Sequence, residues 1–195
     1  SAVPSPRDRA RLARDGIFNV RDLGGLTAAD GRTVARRKVV RADSLHRVST
    51  SAEVLRGLGL VRVLDLRDDR EREGDGVLTL EDIEVQHHPV IDPTFAWYDD
   101  APLDDEHLLA QRYRQILTSF GTRFAAAVES VAEVVGDGTG AVAYHCAVGK
   151  DRTGLLTALL LDVLDVPDEV IVADYARSSA ATAVQVSWLW SLQHP

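Results

Sequence analysis

The sequence predicts an α/β fold in which a central, largely parallel β-sheet is flanked by helices. Strand-like apolar runs alternate along the chain with segments of helical spacing, which is typical of this class. No repeat, linker or low-complexity segment divides the 195 residues, and 45% of them are hydrophobic. This length and composition suit one packed domain. We therefore expect a single domain over residues 1–195, with residues 1–15 as a loose N-terminal arm or short surface helix.

Apolar runs between turn-forming residues predict the strands of the sheet. They are residues 33–41, 61–67, 83–90 and 141–144. In the second run Asp65 and Arg67 alternate with apolar residues, so both lie on one face near the carboxyl end of the strand. Ligands bind at that end of open α/β sheets. We expect Asp65 to support a site there, with Lys150 as its partner.

Helical spacing and capping signals predict the remaining elements. The predicted helices are residues 51–57, 106–117, 120–135 and 153–164, one that begins at Asp168, and one over 182–192. Ser49 or Thr50 is placed to cap the first helix, and Glu53 to complete a capping box. The charged run 68–75 is typical of a solvated loop or the start of a helix. The irregular stretch 91–105 is either a lid over the site or a solvated connection.

Composition excludes several classes of function. A net charge of −8 argues against a general nucleic-acid-binding protein. The basic stretch 32–47 is either a solvated face or a contact for an anionic substrate or a membrane surface. One cysteine cannot form an internal disulfide. We find no long apolar span and no signal-peptide pattern, so we expect no membrane insertion, and the sequence does not decide between a cytoplasmic and a secreted location.

No metal or other cofactor is expected either. His87 and His88 are neighbours in a predicted strand and have no further ligands at the spacing that metal sites use. They are interpreted as structural or surface residues.

The stretch 144–154 contains the candidate catalytic residues. It places the only cysteine, Cys146, six residues before Arg152, between a predicted strand and a predicted buried helix. A tight loop in this position directs backbone N–H groups inward and adds the positive end of the helix dipole, which together form an anion site. Arg152 can hold two phosphate oxygens in a bidentate fork, and the same positive field favours the thiolate form of Cys146. The pattern predicts a nucleophile that faces a bound phosphate.

Two other interpretations of this stretch are weaker. A lone cysteine is most often a small buried hydrophobic residue, but such a residue needs no histidine, two cations, an aspartate and a glycine close by. A nucleotide-binding P-loop requires Ser or Thr after the lysine and an earlier glycine, and the sequence around Lys150 has neither.

The motif His145-Cys146-x-x-Gly149-Lys150-x-Arg152-Thr153-Gly154 resembles the signature of cysteine-dependent protein tyrosine and dual-specificity phosphatases. The sequence from Gly149 to Arg152 resembles the bacterial tyrosine phosphatases related to mycobacterial protein tyrosine phosphatase B. Further stretches agree in the family's order: residues 18–25, 41–44, 63–67 and 171–178. The resemblance covers about residues 16–179, or most of the chain.

The resemblance implies a phosphatase that works through a phosphocysteine intermediate and needs no metal. The expected roles are catalytic for Cys146, Arg152 and Asp151, substrate-binding for Ala147, Val148, Gly149, Lys150 and Asp65, and supporting for His145 and Thr153. Asp151 is the first choice for the general acid, and an aspartate from residues 92–105 is the second. His145 would orient the loop and favour the thiolate, and Thr153 would donate a hydrogen bond to the sulfur.

Phosphotyrosine in proteins is the expected main substrate. Lys150 adds a second positive charge beside Arg152, which suits substrates with more than one phosphate, and the resemblance also points to dual specificity and to phosphoinositides. Two alternatives stay open at this point. A rhodanese-like sulfur transferase also places a cysteine in an anion-binding loop, and a phosphate-binding module without catalysis would use the same donors.

Overall fold

The computed structural model describes residues 4–95 and 106–194, with the side chains of 106 and 107 left out. Its five strands are β1 (Arg21–Asp22), β2 (Val39–Asp43), β3 (Leu60–Asp65), β4 (Glu84–His87) and β5 (Ala141–Cys146). Its helices are α1 (Pro6–Arg14), α2 (Ala52–Gly57), α3 (Asp69–Asp75), α4 (Glu106–Asp137), α5 (Asp151–Val163) and α6 (Asp168–Gln193), with a short 3-10 helix over Leu45–Arg47.

The strands form one sheet in the order β1-β2-β5-β3-β4. Strand β1 is antiparallel to β2, and the other neighbours are parallel. The predicted α/β fold with a largely parallel sheet is therefore confirmed. Strand β5 is central and buried along its whole length, as its continuous apolar run predicts. Asp43 pairs with Cys146 and Asp65 with His145, so three strand ends meet at one edge of the sheet.

Alternate residues of the strands enter cores on opposite faces of the sheet, because side chains of a strand alternate in direction. Val63 and Ala143 pack with Leu12 of α1 and Leu55 of α2. The opposite core contains apolar residues of β3, β5, α4 and α5. They include Leu64, Tyr144, Ile116, Phe124 and Leu156.

Two predicted helix breaks are wrong. Residues 106–117 and 120–135 belong to the single helix α4, which continues through Gly121. A glycine in a helix costs about 1 kcal/mol relative to alanine, but Ile116 and Phe124 on either side of it are both buried, and their packing outweighs that cost. Residues 182–192 are likewise the second half of α6, where the Thr182 hydroxyl donates to the Ser178 carbonyl of the preceding turn.

The strands are shorter or shifted relative to the prediction. The strand predicted over 33–41 is β2, which begins only at Val39, because Arg37 adopts a positive φ of 60° that ends any extended run before it. The strands predicted over 61–67 and 83–90 end at Asp65 and His87. The loop preceding β2 keeps one isolated antiparallel bridge, between Thr27 and Thr33.

The predictions for the first two helices, α1 and α2, need adjustment. Residues 6–14 form the regular helix α1, with a capping box between Ser5 and Asp8, so the short-helix alternative holds rather than the loose arm. Helix α2 begins at Ala52, and the predicted cap at Ser49 or Thr50 is wrong because Ser51 occupies the N-cap position, where it makes no side-chain capping hydrogen bond. The hydroxyls of Ser49, Thr50 and Ser51 instead bind the carboxylate of Asp15.

Residues 96–105, the greater part of the predicted lid, lie outside the described residues. Among the helices of the described ranges, none combines the length and the apolar character that crossing a membrane requires. In those ranges no group of three His, Cys, Asp or Glu residues is arranged to hold a metal ion.

Asp15 provides a test of how the N-terminal segment is attached. Burial alone would raise the pKa of Asp15, but N–H and O–H groups of Ser49, Thr50 and Ser51 donate to its carboxylate and hold the pKa well below its ordinary value. Asp15→Asn should lower the free energy of unfolding at pH 7 by about 2 kcal/mol, because hydrogen bonds to a charged group are lost.

The sign of the pH dependence follows from the lowered pKa. The Asp15 contribution is complete above the pKa of the unfolded chain and is lost as the pH falls toward the folded-state pKa. The stability difference between wild type and Asp15→Asn, measured by urea unfolding, should therefore shrink below about pH 4. A difference that grows on acidification would contradict this assignment.

Candidate active site

Residues 146–150, called here the cradle loop, connect the end of β5 to the start of α5. Cys146 lies at its base and is 2% exposed. Its Sγ accepts hydrogen bonds from the Gly149 N–H and from the Thr153 hydroxyl, each at 3.2 Å. The structure thus brings Thr153 to the sulfur, as the sequence predicts, and both donors favour negative charge on that atom.

Three backbone donors of the cradle loop are unoccupied. Within the described residues, the N–H groups of Ala147, Val148 and Lys150 have no hydrogen-bond partner. The carbonyls of Cys146, Ala147 and Gly149, in contrast, accept hydrogen bonds from residues outside the loop. The Ser44 N–H donates to the Cys146 carbonyl at 3.0 Å. An array of N–H groups at the N-terminus of a helix is suited to bind a small anion.

Gly149 is required by the shape of the cradle loop. Its φ is +67°, and a Cβ there would lie 2.7 Å from the Ala42 carbonyl oxygen and 2.9 Å from the backbone nitrogen of Asp43. Its own carbonyl accepts hydrogen bonds at 2.9 Å from Asn19 Nδ2 and from Arg41 Nη2. The backbone at Gly149 therefore packs directly against the end of β2.

Arg152 follows the cradle loop and is fixed by Glu71 of α3. Arg152 Nη2 donates to Glu71 Oε1 at 2.7 Å, and Nη1 donates to Oε2. Burial would raise the pKa of Glu71, but this pairing lowers it overall. Sequence reasoning missed Glu71, for which the charged run 68–75 was the only signal. Asp68 and Glu71 form a capping box that starts α3, and this capping box orients the Glu71 side chain.

Asp151 occupies the first turn of α5 and accepts a hydrogen bond from the Tyr113 hydroxyl of α4. The Tyr113 oxygen lies 2.7 Å from the hydroxyl oxygen of Tyr175 in α6. Burial and the nearby carboxylate of Asp151 raise the pKa of Tyr113, so this hydroxyl keeps its proton and acts as a donor. Sequence reasoning missed both tyrosines, because their spacing along the chain shows no relation to Asp151.

A tyrosine phosphatase family model matches residues 12–193. The chain belongs to this family. It is 29% identical over 190 residues to a protein named as a tyrosine-protein phosphatase in Cupriavidus necator, covering 93% of this chain and 68% of that protein. It is 31% identical over 195 residues to the triple specificity protein phosphatase PtpB of Mycobacterium tuberculosis, covering 84% and 67%.

The crystal structure of P. aeruginosa TpbA is a more distant match. It shows 16% identity and a TM-score of 0.37, covering 80% of this chain and 88% of that one. The family assignment rests on the sequence matches, and they show that the protein is a tyrosine phosphatase.

His145 of this tyrosine phosphatase is buried behind the cradle loop. Burial lowers the pKa of His145 to about 4, so the ring is neutral at pH 7. Its Nδ1 lies 3.3 Å from the Cys146 carbonyl oxygen, a contact that suits the predicted orienting role. A neutral ring can orient the loop but adds no positive charge beside the sulfur.

The predicted pairing of Asp65 with Lys150 is wrong. Asp65 is 1% exposed, and its carboxylate accepts hydrogen bonds from Arg67 Nε at 2.9 Å and Nη2 at 2.8 Å. Arg72 Nε lies 3.4 Å away. The carboxylate is thus occupied by arginines of its own segment. Within the described residues, Lys150 has no carboxylate partner.

The basic stretch 32–47 divides into two parts. Arg32, Arg36 and Arg37 are exposed, and Arg32 pairs with Asp30. Arg41 is instead fully buried and supports the cradle loop. The interpretation of this stretch as a solvated face therefore fails for Arg41.

The phosphatase should not tolerate a side chain at Gly149. Gly149→Ala adds a Cβ that meets backbone atoms of β2, and we expect kcat/KM to fall by about a hundredfold or more, because small displacements of positioning groups have effects of that size. Gly138→Ala is the matched control, since Gly138 has the same φ of +67° and open space around its Cβ.

Both variants bear the strain of a positive φ, about 1 to 2 kcal/mol, and only Gly149→Ala should lose activity. Steady-state hydrolysis of an aryl phosphate and thermal unfolding would be measured on both. Equal activity of the two variants would show that the close approach of Gly149 to β2 is unimportant.

Proposed function

We propose that this tyrosine phosphatase hydrolyses phosphomonoesters through a phosphocysteine intermediate on Cys146, mainly on phosphotyrosine in proteins. One observation carries the proposal. The Cys146 sulfur accepts two hydrogen bonds, from the Gly149 N–H and the Thr153 hydroxyl. It lies at the base of a loop in which three other N–H groups have no partner among the described residues. Donors to sulfur stabilise a thiolate, which is the reactive form of cysteine.

In the first step the Cys146 thiolate attacks phosphorus, so that a P–S bond forms as the P–O bond to the substrate breaks. The electron pair of that bond goes to the leaving oxygen, which takes a proton from the Asp151 carboxylic acid. In the second step water attacks phosphorus and gives a proton to the Asp151 carboxylate. The P–S bond breaks, inorganic phosphate is released, and the sulfur leaves as a thiolate stabilised by Thr153.

Arg152 and the backbone N–H groups of the cradle loop hold the phosphate oxygens in this scheme. Charge on those oxygens is stabilised best by donors that are already in place. The pairing with Glu71 fixes the plane of the Arg152 guanidinium, and a fixed planar fork is suited to bidentate binding of phosphate.

The geometry favours Asp151 over the alternative acid. Its hydrogen bond from Tyr113 holds the carboxyl group beside the cradle loop. Asp92, the described member of the alternative stretch, is occupied by Thr94 and lies 3.7 Å from Arg123. The other aspartates of that stretch lie outside the described residues.

Lys150 supports activity beyond phosphotyrosine. Lys150 follows Gly149 in the cradle loop, and its ammonium has no carboxylate partner within the described ranges. The positive charge is therefore available to a second anionic group of a substrate. The relative named triple specificity phosphatase is consistent with a broad substrate range. We propose phosphoinositide monophosphates as secondary substrates. The family match leaves no observation that favours sulfur transfer or a non-catalytic module.

Cys146→Ser tests the covalent mechanism. A serine hydroxyl in the same position is far less ionised than a thiol, so turnover of phosphotyrosine peptides should fall to the assay background. The fold, followed by thermal unfolding, and the binding of inorganic phosphate, followed by calorimetry, should persist. Activity within about tenfold of wild type would exclude Cys146 as the nucleophile.

Lys150→Ala tests the substrate range. The ammonium at about 6 Å from a second phosphate contributes on the order of 1 kcal/mol or more, so kcat/KM should fall about fivefold or more for phosphoinositides and less for a phosphotyrosine peptide. Added salt should reduce the difference between the losses in kcat/KM for the two substrates. The control is Lys38→Ala, the only other lysine, which lies near Gly140 at the opposite end of β5. An equal loss of kcat/KM on both substrates would show that Lys150 only maintains the shape of the loop.

A further inference from the structure

The buried face of α6 is polar. The buried residues of this helix are Asp174, Ser178 and Gln185, at positions i, i+4 and i+11, which place them on one side of an α-helix. Packing alone would favour apolar residues on such a face. All three side chains belong to hydrogen-bond networks that end on carbonyls of the cradle loop, so this face has a purpose other than core packing.

The first network holds the carbonyl of Ala147. Gln185 is 3% exposed, and its Nε2 donates to the Ala147 carbonyl at 3.1 Å and to the Ser44 Oγ at 2.7 Å. The Ser44 hydroxyl in turn donates to the same Ala147 carbonyl at 2.6 Å. Two donors, one of them positioned by the other, therefore fix the direction of this carbonyl.

The second network holds the carbonyl of Gly149. Asp174 accepts hydrogen bonds from Arg41 Nη1 and Arg21 Nε, both at 2.7 Å. Arg41 Nη2 donates at 2.9 Å to the Gly149 carbonyl and at 3.2 Å to Ser178 Oγ. Since Arg41 is fully buried, its guanidinium has this position because Asp174 and Ser178 hold it there.

Both networks set the direction of N–H groups that face the substrate. In a planar trans peptide, the carbonyl of one residue and the N–H of the next point in opposite directions. A hydrogen bond that draws the Ala147 carbonyl toward α6 therefore turns the Val148 N–H away from α6 and into the cradle loop. The Gly149 carbonyl sets the Lys150 N–H in the same way.

We propose that α6 is the positioning element of the cradle loop: Gln185 directly, and Asp174 through Arg41, direct the Val148 and Lys150 N–H groups at the phosphate. The proposal rests on the proposed function of the loop. Helix α6 contributes no residue to the loop, so Gln185 is a positioning residue and touches no substrate.

The expected kinetic effect is on kcat more than on KM, because correctly directed donors matter most where negative charge develops in the transition state. Gln185→Met keeps a side chain of similar length and removes both N–H donors. We expect kcat for an aryl phosphate to fall about tenfold to a hundredfold, with KM within about threefold of wild type.

Ligand binding supplies a readout besides turnover. Orthovanadate reproduces the five-coordinate geometry of the transition state, whereas inorganic phosphate reproduces the product. The affinity of Gln185→Met for orthovanadate should fall in parallel with kcat, and its affinity for inorganic phosphate should change less. Ser44→Ala removes the other donor to the Ala147 carbonyl and should show the same pattern, which keeps the test valid if Gln185→Met does not fold.

Asp15→Asn is the control for a purely structural effect. It removes hydrogen bonds to Ser49, Thr50 and Ser51, and no hydrogen bond of the Asp15 side chain within the described residues reaches the cradle loop. The kcat of Asp15→Asn per folded molecule should therefore equal that of wild type. Wild-type kcat and orthovanadate affinity, within about twofold, in both Gln185→Met and Ser44→Ala would overturn the proposal. A loss of activity that is fully explained by a smaller fraction of folded protein would also overturn the proposal.

Different experimental results would contradict the positioning role of α6 and the proposed function. If Cys146→Ser retains turnover, the covalent function is wrong whatever Gln185 does. If Cys146→Ser is inactive and Gln185→Met resembles wild type, only the positioning role of α6 is wrong.

Discussion

The buried guanidinium of Arg41 is the interaction on which the site depends. A buried charge requires a partner of opposite charge and hydrogen-bond acceptors. The two terminal nitrogens of Arg41 find these in Asp174 of α6 and the Gly149 carbonyl. Burial would raise the pKa of Asp174, but hydrogen bonds from Arg21 and Arg41 lower it overall, so the Asp174 carboxylate is ionised at pH 7. Arg41 thereby links the cradle loop to α6 through two hydrogen bonds.

The chemistry of the cradle loop could be predicted from sequence because it is local. Cys146, Asp151, Arg152 and Thr153 lie within eight residues, and the strand before them and the helix after them fix their relative positions. The parallel sheet could be predicted for the same reason, since strand and helix patterns alternate along the chain. The side chains that hold the loop could not, because Gln185 contacts a carbonyl 38 residues away in sequence and Asp174 pairs with an arginine 133 residues away.

Two errors of the sequence-based predictions have physical causes. The sequence pattern predicts separate helices over residues 106–117 and 120–135, but buried Ile116 and Phe124 keep α4 continuous. Asp65 was expected to meet Lys150 because both lie near strand or loop ends, yet Arg67 is two residues away and forms the closer pair. Tertiary packing decides the first case and a partner two residues away decides the second. In both cases the sequence pattern left the alternatives nearly equal.

The central claim is that the phosphoryl group passes through the sulfur of Cys146, and trapping of the intermediate tests it most directly. The Asp151→Asn variant would be mixed with an aryl phosphate that has a good leaving group, because such a substrate needs little help in the first step while the second step lacks its base. After an acid quench, mass spectrometry should find one phosphoryl group on the peptide that contains Cys146. A phosphoryl group on another residue, or turnover with no initial burst of leaving group and no modified Cys146 peptide, would contradict the account.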